Sequence, residues 1–192
     1  MKLLQSPFGK TKRSKQTSPN RELKEVLFAQ KFTQKGGKFL VSTDFQETKA
    51  YFNKILSDND WSNEEVIGIS TPFSNCFKIS CIKSKQSINN KVVFLDCEYL
   101  LSNTGCVLVC DKQIKNYNNK DLPQSIIIYA CENQLVSDLS EGMIKLNQKY
   151  TGQIPRNITK IEPKHPNEIN NAYSKTNRIK NIYLILEETK KK

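Results

Sequence analysis

Two uninterrupted apolar runs constrain this chain more than any other feature: Cys106-Val107-Leu108-Val109-Cys110 and Ser125-Ile126-Ile127-Ile128-Tyr129-Ala130. A strand with one wet face alternates polar and apolar side chains, because successive residues point to opposite sides. A run that is apolar at both parities is covered on both faces, as in the parallel sheets of α/β proteins. Neither run approaches the ~20 residues needed to span a bilayer.

Helical spacing surrounds these runs. Arg21 to Lys35 carries Leu23, Val26 and Leu27 on one stripe, with Asn20 as the expected N-cap and Gly36-Gly37 as the stop. Lys38 to Ser42 reads as a strand. Asp44 with Glu47 resembles a capping box, opening a helix that carries Phe52, Ile55 and Leu56 and ends near Ser57. Glu65 to Ile69 and Phe77 to Ile82 read as strands, as does Val92 onward into Ser102-Asn103-Thr104-Gly105. Ser137-Asp138 caps a helix reaching about Lys149, and 157–161 and 182–186 close the chain as strands. The alternation predicts an α/β domain: a mixed, mainly parallel sheet with helices on both faces, and sequential strand pairing around 106–130. Its expected extent is 21–189, behind a basic, disordered tail over 1–20.

The charge argues in the same direction. Of the net +11, residues 1–21 supply six basic groups and no acid, and three lysines close the chain; removing these nine leaves +2 for the body. A folded body so nearly neutral does not suit a nucleic-acid-binding surface, and the basic ends read as solubilising tails. Met1-Lys2-Leu3-Leu4-Gln5-Ser6 lacks the apolar core of a secretory leader, so a cytoplasmic location is expected. The six cysteines include no C-x-x-C pair. Most lie in apolar segments, which favours buried thiols over a disulfide framework, a metal site or an iron–sulfur cluster. No cofactor is expected.

The ordered set of segments resembles the LUD domain of LutC-like lactate-utilisation proteins, in a divergent form. The likeness runs through Phe28-Ala29-Gln30-Lys31-Phe32-Thr33 with Gly36-Gly37-Lys38-Phe39, and through Tyr99 to Val109 around a family turn of the form A-x-T-G-T/S. It continues through Leu122-Pro123, the strand at 125–130, Leu135-Val136-Ser137-Asp138-Leu139, Ile154-Pro155 with Ile158-Thr159, and Ile182 to Glu187. The resemblance implies a NagB/RpiA/CoA-transferase-like fold. It also implies an accessory role in lactate oxidation beside iron–sulfur and FAD-containing subunits. Where the family carries G-P-S-x-T-A-D-I-E, this chain has Glu162 to Asn170, keeping only Pro163 and Ile169, with Glu168 in place of the acid. The family's G-x-H-G-P is replaced by a stretch around Lys175-Thr176-Asn177-Arg178. The lost glycines and hydroxyls are those that would cradle a small anion. A divergent or non-catalytic subunit is therefore expected, with a small anion-binding enzyme of the isomerase, CoA-transferase or cyclo-ligase-like fold class as the alternative.

The candidate ligand residues are Ser102, Asn103, Thr104 and Gly105, at a turn entering a buried strand, with Glu168 and Arg178 from the altered motifs. Asn and Gly are equally ordinary turn residues. Lys175 and Lys180 stand with Arg178 as a basic cluster or a solvated surface. His165, the only histidine, lies between Lys164 and Pro166 and reads as a surface residue rather than a base. Asp96 and Glu98 offer paired acids, although acids at a strand–loop border are usually solvated. Trp61 is expected to pack over a helix–strand joint.

Overall fold

The computed structural model describes residues 19–69, 71–82, 90–115, 117, 122–151, 153–164 and 181–189. Helix α1 (Pro19–Gln34) begins with proline in its first turn, where the missing N–H costs no hydrogen bond. Its start lies one residue ahead of Asn20, the expected cap. It stops where expected. Gly36 adopts φ +91°, and Gly36 N and Gly37 N donate to Thr33 O and Phe32 O, closing a Schellman motif.

Strand β1 (Lys38–Ser42) leads into α2 (Phe45–Asp58). The Asp44 carboxylate accepts from Gln46 N and Glu47 N, as an N-cap should. Glu47 reaches back one residue further than a capping box requires, accepting from Thr43 N at 2.7 Å. Next come β2 (Val66–Gly68), the short helix α3 (Thr71–Phe77) and β3 (Ser80–Cys81). The strand expected over Phe77 to Ile82 is thus the end of a helix, a turn at Lys78 with φ +55°, and a two-residue strand.

The remaining elements are β4 (Val92–Asp96), β5 (Tyr99–Leu101), β6 (Cys106–Val109), α4 (Asp111–Ile114), β7 (Ser125–Cys131), β8 (Leu135–Val136), α5 (Leu139–Lys149), β9 (Thr159–Ile161) and β10 (Asn181–Glu187). They form two sheets. The larger has six strands in the order β1-β10-β7-β4-β2-β3, every pair parallel. The smaller has the order β8-β5-β6-β9, with β5–β6 and β6–β9 antiparallel and β5–β8 parallel. Sequential pairing across 106–130 is therefore not found: β6 and β7 lie in different sheets. The mixing of strand directions is confined to the small sheet.

Burial parity explains the layering. Val93, Leu95, Ile126, Ile128, Ala130, Ile182, Leu184 and Leu186 face one side of the large sheet, against Phe28 and Phe32 of α1 and the inner face of the small sheet. Val92, Phe94, Ile127, Tyr183 and Ile185 face the other side, against Phe52, Ile55 and Leu56 of α2 and Phe77 of α3. The outer face of the small sheet, through Tyr99, Leu101, Leu108 and Val136, is closed by Leu146 of α5. So the uninterrupted apolar runs do lie between two covered faces. Trp61 packs edge-on against Tyr183, with ring centroids 5.9 Å apart. Among the described residues no helix is long and apolar enough to cross a membrane, and no three His, Cys, Asp or Glu side chains are grouped to hold a metal ion.

Candidate functional site

Parallel strands end together, and ligands of open α/β sheets gather outside their carboxyl ends. Here those ends bring Ser42, Glu187 and Cys131 side by side from β1, β10 and β7. Two clefts open there, both reached by Asn133. One, of ≈ 240 Å³, is lined by Thr43, Asp44, Cys131, Asn133, Glu187, Glu188 and Thr189. The other, of ≈ 180 Å³, is lined by Asn20, Arg21, Lys24, Glu132, Asn133, Leu135 and Lys145.

The buried Glu132 stands between them. One carboxylate oxygen lies 3.5 Å from Arg21 Nε, and the other accepts from Thr189 N at 3.3 Å. The first cleft is backed by a hydrogen-bonded relay. Glu187 Oε2 accepts from Tyr129 OH at 3.1 Å and from Thr48 Oγ1 at 3.0 Å; Thr48 Oγ1 lies 2.6 Å from Ser42 Oγ, and Tyr129 OH lies 3.2 Å from Cys131 Sγ. Burial pushes both the Tyr129 phenol and the Cys131 thiol upward. At neutral pH they are a neutral phenol and a neutral thiol, hydrogen-bonding groups rather than nucleophiles.

The second cleft has three cationic side chains. Lys24 Nζ donates to both oxygens of Glu141, at 3.1 and 2.9 Å, and Lys145 Nζ lies 3.0 Å from the same carboxylate. Arg21, Lys24 and Lys145 thus face the cleft from α1 and α5, held in place by Glu132 and Glu141. Three cations against two acids leave the pocket wall net positive, which suits a small anion.

The turn singled out in the sequence lies elsewhere, at the tip of the β5–β6 hairpin. Ser102 is buried, and its Oγ has no hydrogen-bond partner among the described residues. Asn103 and Thr104 are exposed. Gly105 has φ +65°, and a Cβ there would lie 2.5 Å from Phe32 N and 2.7 Å from Lys31 C. The glycine therefore serves the close approach of the hairpin to α1. All four backbone N–H groups of the turn are engaged within the protein: Ser102 to Val136 O, Asn103 to Ser137 O, and Thr104 and Gly105 to Leu101 O. What the turn offers a ligand is the side chains of Asn103 and Thr104. Glu168 and Arg178, with His165, Lys175 and Lys180, lie outside the described residues.

Asp96 and Glu98 do not form a solvated acid pair. Glu98 is buried. Its carboxylate accepts from Lys149 Nζ, Tyr150 OH and Gln113 Nε2, each at 2.8 Å, and the Cys110 thiol lies 3.4 Å away. Burial works to raise its pKa, but the bonds from Lys149, Gln113 and Tyr150 outweigh it and the net shift is downward. Asp96 is raised by burial. The short β4–β5 connection between them is fastened to the β7 exit by Gln134. Its amide nitrogen donates to Cys97 O and to Glu98 O, and its Oε1 accepts from Cys131 N at 2.6 Å.

The sequence singles out none of the residues of the two clefts as a site residue, although Asn20 and Asp44 read as helix caps. The available signal was a polar Cys131-Glu132-Asn133 directly after the longest apolar strand. Arg21 reads as the start of the first helix and counts only in the charge of the basic end; it does sit on α1, where it pairs with Glu132.

No family model matches the chain, and no curated protein matches it in sequence. Among solved structures the fold is similar to the crystal structure, at 1.70 Å resolution, of a DUF162 family protein from Deinococcus radiodurans. The match has a TM-score of 0.63 at 13% identity and covers 87% of this chain and 98% of that one. At that identity the likeness is one of fold, and it establishes the α/β architecture of the chain.

Proposed function

We propose that the protein is a LUD-type accessory subunit connected with lactate or related organic-acid oxidation, one that binds a small organic anion without turning it over. The DUF162 domain corresponds to the LUD domain, so the fold likeness supports the general type. The observation that carries the ligand class is the net-positive cleft of Arg21, Lys24 and Lys145 at the carboxyl edge of the parallel sheet. In this reading the protein works in the cytoplasm without a cofactor of its own, and its partners are iron–sulfur and FAD-containing oxidation subunits.

Titration calorimetry with lactate tests this reading. Binding is expected, falling about tenfold or more in a Lys145→Glu variant, which reverses one charge of the cleft wall. Absence of binding overturns the ligand class. Reduction of an electron-accepting dye by the isolated chain in the presence of lactate overturns the accessory role.

A second reading, an enzyme of the isomerase, CoA-transferase or cyclo-ligase-like fold class, is favoured by one observation. The Glu187 carboxylate lines a cleft while bonded to Tyr129 and Thr48. The exposed Asn103 and Thr104, with Glu168 and Arg178, form a separate proposed contact set for the anion. Alanine at Asn103 and Thr104 lowers affinity if that set is used and leaves it unchanged if the basic cleft is.

A further inference from the structure

Away from both clefts, three chemically complementary side chains converge where α1, β6 and the end of β9 meet. Lys35 Nζ lies 2.8 Å from Glu162 Oε2 and 3.7 Å from Cys106 Sγ. The Cys106 thiol lies 3.3 Å from the same Glu162 oxygen. An amine, a thiol and a shared carboxylate thus occupy one contact triangle. Cys106 is 3% exposed, while the side chains of Lys35 and Glu162 are 36% and 46% exposed. The sulfur lies immediately behind two side chains that are themselves partly open to solvent.

We propose that Lys35 and Cys106 form a reversible oxygen-bridged crosslink, Nζ–O–Sγ, under hydrogen peroxide, with Glu162 as the proton acceptor for both. The thiol gives its proton to Glu162 and the sulfur attacks one peroxide oxygen. The S–O bond forms, the O–O bond breaks, and water leaves, giving a sulfenic acid. The Lys35 ammonium then loses a proton by way of the same carboxylate. The N–O bond forms as one amine N–H and the sulfenic O–H are broken; their two protons and two electrons pass to a second peroxide, whose O–O bond breaks to give two waters. In sum, one thiol, one amine and two peroxides give one bridge and three waters. Two equivalents of a dithiol supply the four electrons that return the thiol, the amine and a water.

The geometry favours this over an ordinary oxidation ladder, because the amine stands beside the sulfur before oxidation begins. Burial raises the Cys106 thiol; at Lys35 burial acts downward but the contacts with Glu162 and Cys106 prevail, and the net shift is up. The resting groups are therefore thiol and ammonium, and bridging accelerates as pH rises. The bridge would tie the C-terminal end of α1 to the first residue of β6, and so fix the turn at 102–105 against the helix.

The test is peptide mapping of the full chain after hydrogen peroxide treatment. The expected product is a linked pair of peptides containing Lys35 and Cys106, heavier than their sum by one oxygen less two hydrogens, and released by dithiothreitol. Lys35→Arg keeps the ion pair with Glu162 but removes the reactive amine, and abolishes the product. Cys106→Ser abolishes it as well, and Glu162→Gln reduces its yield several-fold. Whole-oxygen additions at Cys106 with no linked pair overturn the proposal. So does a linked pair of unchanged yield in the Lys35→Arg protein.

Discussion

Lys149, half in solvent on the last turn of α5, holds the fully buried side chain of Glu98 at 2.8 Å. This contact joins the outer helix to the chain segment between the two sheets. Replacing Glu98 by Gln removes the charge on which Lys149, Tyr150 and Gln113 converge. Loss of charged hydrogen bonds of this kind costs about 2 kcal/mol. Urea unfolding should show a lower midpoint with an unchanged slope.

The same carboxylate makes stability depend on pH. Its pKa is lower in the folded chain than in the unfolded one, so its contribution is present above the unfolded value of about 4.3 and disappears as pH falls through the folded value. As pH falls from about 5 through the unfolded value, the wild-type protein should lose stability faster than Glu98→Gln. Parallel curves for the two proteins would contradict the assignment.

Glu141 behaves in the same sense and over a wider range. Burial acts upward on it, but the Ser137 N–H and the Lys24 and Lys145 ammoniums bring it down to about 2. Its bridge between α1 and α5 should therefore persist through moderate acid and fail only as pH approaches that value. Glu141→Gln should cost about 1 kcal/mol at neutral pH, and the difference from wild type should still be measurable at about pH 3 by thermal melting.

Gly105→Ala should be far more damaging than its size suggests. The new methyl meets the backbone of Lys31 and Phe32 rather than flexible side-chain ends, at a position with φ +65°. The left-handed backbone alone costs roughly 1–2 kcal/mol for an L-residue. A loss above about 2 kcal/mol in chemical denaturation is expected. A ligand role for this turn is therefore better examined at Asn103 and Thr104, whose side chains are exposed.

The thiols should separate cleanly by reactivity. Cys76 is exposed, whereas burial pushes Cys97 far up and Cys110 up to about 12. Iodoacetamide at pH 8 should modify Cys76 first and leave Cys97 and Cys110 unmodified until the protein unfolds, as read by peptide mass spectrometry.

Much of this fold was legible because burial leaves a direct mark on sequence. The runs at 106–110 and 125–130 reported two covered faces, and Asp44, Asp138 and Gly36 marked helix ends through their own side chains or backbone freedom. The division into two sheets was not legible, since an apolar strand encodes that it is covered and not which strand lies beside it. Phe77 misled for a related reason. It is buried among Phe45, Phe52, Phe73 and Phe94, and it looks alike in sequence whether it ends a helix or begins a strand. Glu98 ran against the rule that acids at strand ends are wet, because its partners come from positions 113, 149 and 150. The clefts were hidden for the same reason: Arg21, Glu132 and Lys145 meet only after folding.

The alternation along β7 carries a last consequence. Ile126, Ile128 and Ala130 belong to one apolar compartment, and Ile127, with Tyr129 packed beside it, to the other. Deleting one residue within this strand would not merely shorten it. It would send each following side chain through the sheet into the wrong chamber, carrying Tyr129 into the compartment of Ile126 and Ile128 and Ala130 into that of Ile127. Length in this central strand is thus far less negotiable than composition: conservative swaps should be survivable there, and a one-residue gap should not.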